Sequence, residues 1–362
     1  MTPNADVAVV GGGIIGCALA AFLAEDGVRV RLYERDEIAA GASGRNSGLL
    51  QHPMDELLTG IYAASEQHYR ELGHGFEMPE ETVGVLVVGE DPAALEPTRA
   101  DLAARFPELR AEALAAPHEA EPALAEDLAG FMLHAGYPVP PAAATQAFAT
   151  RARAAGAEIV EGTAVTPVAD NGRVTGIRTP TGEEEPAGAV VVAAGPWSSA
   201  LVDPTGAWRP VAPLWGVNVE LRLSNPPRHS LEEGGIENLM TEGTLGPLFS
   251  LVTRGGVSAL GSTFLPEPPE PAEVAPALVE RGSRFVPQLA GTQAVSLRAC
   301  ARPISADGRP LLGPLPGTEG LFVATGHGPW GVSLGPGSAR LVADAILGRD
   351  PAIPPALDPG RF

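Results

Sequence analysis

The stretch Val7-Ala-Val-Val-Gly-Gly-Gly-Ile-Ile-Gly16, followed by Glu34 at the end of the next apolar run, decides how this chain begins to fold. Residues 6–10 read as a buried strand, and residues 14–25, rich in Ala and Leu, read as a helix. The three glycines between them have separate tasks. Gly11 suits a tight turn, Gly13 lets the backbone approach a pyrophosphate, and Gly16 allows close helix-on-strand packing. The helix N-terminus adds free N–H groups and the positive end of its dipole, which favour phosphate. A second strand over 28–33 ends beside Glu34, which is placed to accept a hydrogen bond from a ribose 2′-hydroxyl. An acid there favours an unphosphorylated ribose, hence FAD or NAD over NADP. A glycine-rich turn in an ordinary βα unit is the plainer alternative, and the strand–turn–helix–strand–acid order argues against it.

With 362 residues the chain has room for two domains around separate cores. No apolar run approaches the roughly 20 residues of a membrane span, so no integral membrane segment is expected. The N-terminus shows no basic region of a secretory signal. Cys17 and Cys300 lie far apart and suggest a reduced compartment without a disulfide framework. These points together lead to a cytoplasmic expectation. Neither cysteine belongs to a zinc-type cluster and the histidines lack ligand spacing, so no metal is expected. The net charge is −20, of which −13 falls in residues 51–140, and such a field repels nucleic acid and anionic membranes. All 24 basic residues are Arg, which removes any Schiff-base or oxygen-activating lysine.

Along the chain, a glycine/serine loop, Gly41-Ala-Ser-Gly-Arg-Asn-Ser-Gly48, closes the βαβ unit. Helical patterns at 55–72 and 92–105 flank a strand-like run at 82–89. Residues 107–146 are Ala/Pro/Glu-rich with few large apolar residues and read as peripheral. A helix over 142–155, a strand at 158–161 and a hairpin on Asp170-Asn-Gly172 follow. The run Ala189-Val-Val-Val-Ala-Ala-Gly195 is of the buried parallel-strand kind. Residues 211–265 alternate like an antiparallel sheet, and a Pro-rich link at 266–271 leads to a helix over 273–285. An apolar strand at 321–324 runs into a glycine-dense loop, 325–337, and then a helix over 338–347. No internal repeat is present. The expected class is α/β, a Rossmann-like domain interleaved with an α+β domain on an antiparallel sheet. The expected division gives 1–80, 141–210 and 290–362 to the first domain and 81–140 and 211–289 to the second.

By these motifs the chain resembles the D-amino-acid oxidase/glycine oxidase/sarcosine oxidase family of FAD-dependent oxidoreductases, nearly end to end. The resemblance rests on Gly11-Gly-Gly-Ile-Ile-Gly16 with Glu34, the 41–48 loop and Ala193-Ala-Gly-Pro-Trp197. It also rests on Arg302-Pro-Ile-Ser-Ala-Asp-Gly-Arg-Pro-Leu-Leu-Gly313 and Thr325-Gly-His-Gly-Pro-Trp-Gly331. It implies an FAD-binding domain of the glutathione-reductase type beside a substrate domain. Cofactor contacts are implied at Gly11, Gly13, Ile14, Ile15, Gly16, Glu34 and Arg35. In the loop they fall on Ala42, Ser43, Arg45, Asn46, Ser47 and Gly48, with short polar donors and one phosphate-neutralising guanidinium. Further contacts are implied at Val165, Ala194, Gly195 and Trp197, although Trp197 also suits a core. The last set is Arg302, Gly328, Pro329, Trp330, Gly331, Val332 and Ser333, before a helix whose N-terminus would stabilise an anionic reduced ring.

Arg302 is the expected catalytic residue. Pro303 biases it to extended geometry, and in the resembling oxidases the matching Arg grips a substrate carboxylate in the two-pronged way a guanidinium suits. A surface Arg paired with an acid is the competing reading. His52 and Trp330 are candidate substrate contacts, and His327 reads as a loop histidine in preference to a base. Cys300 leaves two readings open. Its spacing to Asp307 matches sarcosine-oxidase-like members that hold flavin through a thioether, and a buried inert thiol is the other.

The activity implied is oxidation of an amine or amino acid by hydride transfer to flavin N5, giving an imine that hydrolyses. Oxygen or another acceptor then takes the electrons. Two alternatives stand beside it: oxidation of a 2-hydroxy acid, which wants a base such as His52 or His327, and a flavin-binding protein without turnover. The sequence leaves the oligomeric state open.

Overall fold

The computed structural model describes residues 5–235, 247–349 and 353–362. Residues 236–246, within the segment read as strand-rich, lie outside the described residues, as do 1–4 and 350–352 of the segments assigned to the first domain. The strand Ala5–Val10 has almost no exposed residue, because both faces of the sheet around it are covered. It pairs in parallel with Val30–Tyr33 on one side and Glu184–Val192 on the other. Glu158–Val160 and Leu321–Thr325 extend the parallel run outward, and Leu311–Pro314 closes one edge in the antiparallel sense. The hairpin Thr166–Asp170 and Arg173–Arg178 hangs on the long strand Glu184–Val192.

The helix Ile14–Glu25 follows the first strand and is buried nearly all round. Its alanines let Pro141–Ala154 and Gly331–Ile346 pack closely against it. The last of these starts seven residues before the expected 338. The glycines at 335 and 337 mark helix–helix contact, not a loop. A Cβ on Gly337 would overlap the Ile61 carbonyl oxygen of the helix Glu56–Arg70, and one on Gly335 would press on Ile14. Pro336 cannot bond back to the Val332 carbonyl, which accepts instead from the Tyr69 hydroxyl at 2.8 Å.

The second sheet runs in the order Ala294–Ser305, Val211–Leu221, Val257–Gly261, Ser250–Arg254, Ser230–Glu233, Val85–Gly89, Ala129–Leu133 and Glu112–Leu114. All pairs are antiparallel except Ser230–Glu233 with Val85–Gly89. One face carries Leu86, Val217, Val219, Leu231, Leu251 and Leu260, packed under Leu278 of the helix Pro271–Ser283 and under Phe285. The opposite face turns to the first sheet. Two expectations change here. The 107–146 segment is not peripheral, since Phe131 and Leu133 are buried in this sheet; alternation over only five residues, broken by Gly130, hid it. The strand Ala294–Ser305, expected with the dinucleotide-binding segments, is hydrogen-bonded along its length to Val211–Leu221 in the second sheet.

Candidate cofactor and substrate site

A cavity of about 1590 Å³ lies between the two sheets, well above the roughly 300–1,000 Å³ of drug-sized pockets. Its floor is the C-terminal end of the parallel strands, at Val10, Tyr33, Ala193 and Ala324, which is where open α/β sheets place ligands. Its roof is the free face of the second sheet, with Val87, Phe131, Asn218, Glu232 and Ser250 side by side across successive strands.

The glycine turn meets this cavity as its spacing requires. Gly11 adopts φ +117° and a Cβ there would collide with the Ala193 backbone, so only glycine permits the turn. Gly13 precedes the helix and lines the cavity, with Ser43 Oγ 3.0 Å from where its Cβ would be. That same hydroxyl accepts from the Ile14 N–H at 3.0 Å, tying the 41–48 loop to the helix N-terminus. Gly16 does not reach the cavity; a Cβ on it would overlap the Gly11 carbonyl oxygen, so its role is packing. Glu34 lines the cavity, and its carboxylate also accepts from the Gly12 N–H at 2.6 Å and the Asp36 N–H at 2.9 Å. It therefore shapes the turn as well as facing the site.

The structure brings Ile15, Arg35, Ala42, Arg45, Asn46, Ser47, Val165, Ala194, Gly195 and Trp197 to the same wall. The Arg35 guanidinium lies 3.9 Å from the centre of the Trp197 ring, which is 40 % exposed and so is not a core residue. Gly328, Pro329, Trp330, Gly331, Val332 and Ser333 complete the far end, as a 3-10 turn leading into the helix Gly331–Ile346. Gly48 is off the wall. It takes φ +82° and lies against the Val139 carbonyl and Arg254.

His52 is the substrate candidate that the structure moves elsewhere. It is buried against Tyr62 and Phe106, away from the cavity wall. Its Nδ1 accepts from the Met54 N–H at 3.1 Å, which leaves the proton on Nε2, facing Thr59 Oγ1 at 3.3 Å. Burial holds its pKa below the usual imidazole value, partly offset by Glu108. The signal in sequence was only adjacency to the loop, and one residue's difference in direction was enough to turn it away. His327 does line the cavity and is fully buried, with Nε2 3.0 Å from Ser338 Oγ. Burial pushes its pKa down to about 3, so the ring is neutral and a weak base.

Arg302 and Cys300 stand on one face of the strand Ala294–Ser305 and both line the cavity. The Arg302 guanidinium donates to the Thr263 carbonyl at 2.8 Å and Ser262 Oγ at 2.5 Å, and lies 4.6 Å from the centre of the Phe264 ring. Gly216 beneath it leaves the space the guanidinium fills, and a Cβ there would displace it. Burial weakens its proton affinity, and it has no carboxylate partner among the described residues. Burial also pushes the Cys300 thiol up, against the opposing pull of Arg302, Arg298 and Arg45. Sequence reasoning missed Gly216, Ser262, Thr263 and Phe264, which aim Arg302. They come from other strands, and only pairing register brings them together.

An extended dinucleotide fits these residues: a long cavity over strand C-termini, a helix N-terminus, and Arg35 and Arg45 as counter-charge for its phosphates. Among the described residues no cluster suited to a metal ion is present, and no helix is long and apolar enough to cross a membrane. The chain is 31% identical to a glycine oxidase of Pseudomonas aeruginosa, over 97% of both chains. It is 34% identical to a D-amino acid dehydrogenase of Cereibacter sphaeroides, over 58% of this chain and 47% of that one. The crystal structure of glycine oxidase from Geobacillus kaustophilus superposes over the whole of both chains with a TM-score of 0.85 at 27% identity. Residues 6–345 match the family described as DAO, FAD dependent oxidoreductase, and the chain belongs to that family of FAD-dependent enzymes.

Proposed function

We propose that the chain oxidises the C–N bond of a small amino acid or amine of the glycine, D-amino-acid or sarcosine type, with Arg302 holding the substrate carboxylate. The observation that carries this is a buried guanidinium on the cavity wall without an acidic partner among the described residues. Thr263 and Ser262 take two of its five N–H donors and leave the rest for a carboxylate. The glycine oxidase and D-amino acid dehydrogenase relatives support the reading.

When bound, FAD would supply the hydride acceptor at its N5, and the amine would leave as an imine that water hydrolyses. The chain's share is geometry. Arg302 fixes one end of the substrate, Phe264 and Trp215 present apolar surface beside it, and a neutral amine brings its own lone pair, so no side-chain base is needed. That favours amines over 2-hydroxy acids, whose hydroxyl proton needs a base; His52 is off the wall and His327 is a weak one. The first sheet, with the segments up to residue 80, 141–210 and from 306 onward, carries the cofactor in this reading. The second sheet, with 81–140 and 211–305, carries the substrate. In this reading flavin is held without a covalent bond, since burial favours the neutral thiol of Cys300 against the pull of Arg302, Arg298 and Arg45.

Anaerobic mixing with a panel of amino acids, amines and hydroxy acids tests the function, read as loss of the oxidised flavin band. Bleaching by hydroxy acids alone, or by nothing, rejects it. Acid precipitation tests the attachment, and a yellow pellet means a covalent bond.

A further inference from the structure

We propose that Arg254, Arg298 and Glu220 are positioning residues that clamp the 41–48 loop from behind and thereby hold its cavity-facing side against FAD. The proposal rests on the reading that FAD lies along that loop.

None of the three side chains lines the cavity. They form a compact group on the face of the second sheet that meets the loop. Glu220 Oε1 lies 2.9 Å from Arg298 and 3.3 Å from Arg254, and its Oε2 accepts from Ser296 Oγ at 2.6 Å. The group carries one more positive charge than negative, and its side chains are only 14–20% exposed. A buried surplus charge needs acceptors, and the loop supplies them. The Arg254 guanidinium donates to the Ser47 carbonyl at 2.6 Å, and that of Arg298 to the Asn46 carbonyl at 3.5 Å. Next to them Asn218 Nδ2 donates to the Arg45 carbonyl at 3.2 Å. Three consecutive carbonyls are thus held by one sheet face.

The opposite side of the same loop is tied to the first domain through Ser43 Oγ and the Ile14 N–H, while Arg45, Asn46 and Ser47 line the cavity. The loop is therefore fixed from both sheets, and the clamp sets how far those residues stand from a bound cofactor. Gly48 is part of the arrangement. A Cβ on it would overlap the Val139 carbonyl oxygen and come within 3.2 Å of Arg254 Nε, so a glycine with φ +82° fits between the strand end and the guanidinium. Surface ion pairs would not do this. Each guanidinium gives one donor to a loop carbonyl, while Arg298 Nε is buried without a partner among the described residues.

The test compares wild-type holoenzyme with Arg254→Gln, Arg254→Lys and Arg298→Gln. Two quantities are read: the rate at which flavin leaves on dilution, from the fluorescence of freed FAD, and the rise in Tm on adding FAD. Arg254→Gln releases flavin about tenfold faster or more, the equivalent of one charge-assisted hydrogen bond. Its FAD-dependent rise in Tm shrinks, while the KM for the amine stays within about twofold, since Arg302 and the groups that aim it are not bonded to the loop. Arg254→Lys, which keeps the charge and one donor, recovers most of the loss. Release within about twofold of wild type overturns the clamp. So does an equal fall in Tm with and without FAD, which marks a purely structural group. Should Arg254→Gln not fold, Arg298→Gln removes the second guanidinium of the clamp, and unchanged release from it also overturns the proposal. A wild-type protein that takes up no FAD refutes the cofactor reading itself, before any variant is made.

Discussion

Replacing Arg302 by Met separates a substrate anchor from a structural cation. Methionine keeps much of the side chain's length and its contact with Phe264 but has no donors. Two things change in the empty protein. The Thr263 carbonyl and Ser262 hydroxyl lose a donor, at a cost of about 1–3 kcal/mol for each left unsatisfied. Against that, a buried guanidinium without a carboxylate partner among the described residues is removed, which relieves a desolvation cost of several kcal/mol. These effects oppose each other, so the unfolding free energy should change by less than about 2 kcal/mol. In the complex the loss is one-sided. Two parallel charge-assisted bonds to a carboxylate are worth about 3–4 kcal/mol, a factor of roughly 100–1,000 in kcat/KM. The assay is steady-state kinetics on a good amino-acid substrate and on the same amine without its carboxylate. Wild type should favour the amino acid by that factor, and Arg302→Met should treat the two within about threefold. An equal loss on both substrates, or a variant that does not fold, refutes the assignment of Arg302 as a carboxylate anchor.

The remaining expectations concern the cofactor side. His327 has a folded pKa near 3 against an ordinary 6.5, so the unfolded chain binds the extra proton first as pH falls. Stability is therefore unaffected above about pH 6.5, declines below it and has lost its full share, about 4–5 kcal/mol, once pH passes 3. His327→Asn should flatten that acid limb in urea titrations at pH 4 and pH 7. Gly16→Ala forces a Cβ into the Gly11 carbonyl and should cost about 1–3 kcal/mol in urea unfolding, together with loss of bound flavin on gel filtration. Glu34→Gln keeps one acceptor oxygen for two backbone N–H groups, and should lower stability by about 1–3 kcal/mol in thermal unfolding.

The parts of this molecule that were legible in sequence are those whose reasons are local. The glycine turn needs only its own φ values and the residues next to it, and the helix Pro92–Arg105 lies at its expected bounds, with Asp91 capping it through the Ala93 N–H. The helix over 331–337 was not legible, because glycine spacing looks the same in a loop as in a helix pressed on another backbone. What distinguishes them is Ile61, Ser65 and Tyr69, which are far away in sequence. His52 fails for the opposite reason. Its neighbours Gln51 and Pro53 face the cavity, and the sequence carries no mark of which way a residue between them turns.

Arg302 shows why the second sheet is harder to read than the first. Its strand could be found, and Pro303 gave it a direction, but its partners lie on strands at Val211–Leu221 and just past Val257–Gly261. Antiparallel register decides that Gly216 lies opposite Cys300 and leaves room for the guanidinium to cross toward Ser262 and Phe264. A shift of the strand Ala294–Ser305 by one residue would put Ala299 and Ala301 on this face and the arginine in the apolar layer beneath the helix Pro271–Ser283. That layer, with Val217, Val219, Leu231 and Leu260 fully buried, is what forbids the shift. The direction of Arg302 is thus set by hydrophobic side chains on the far side of the sheet.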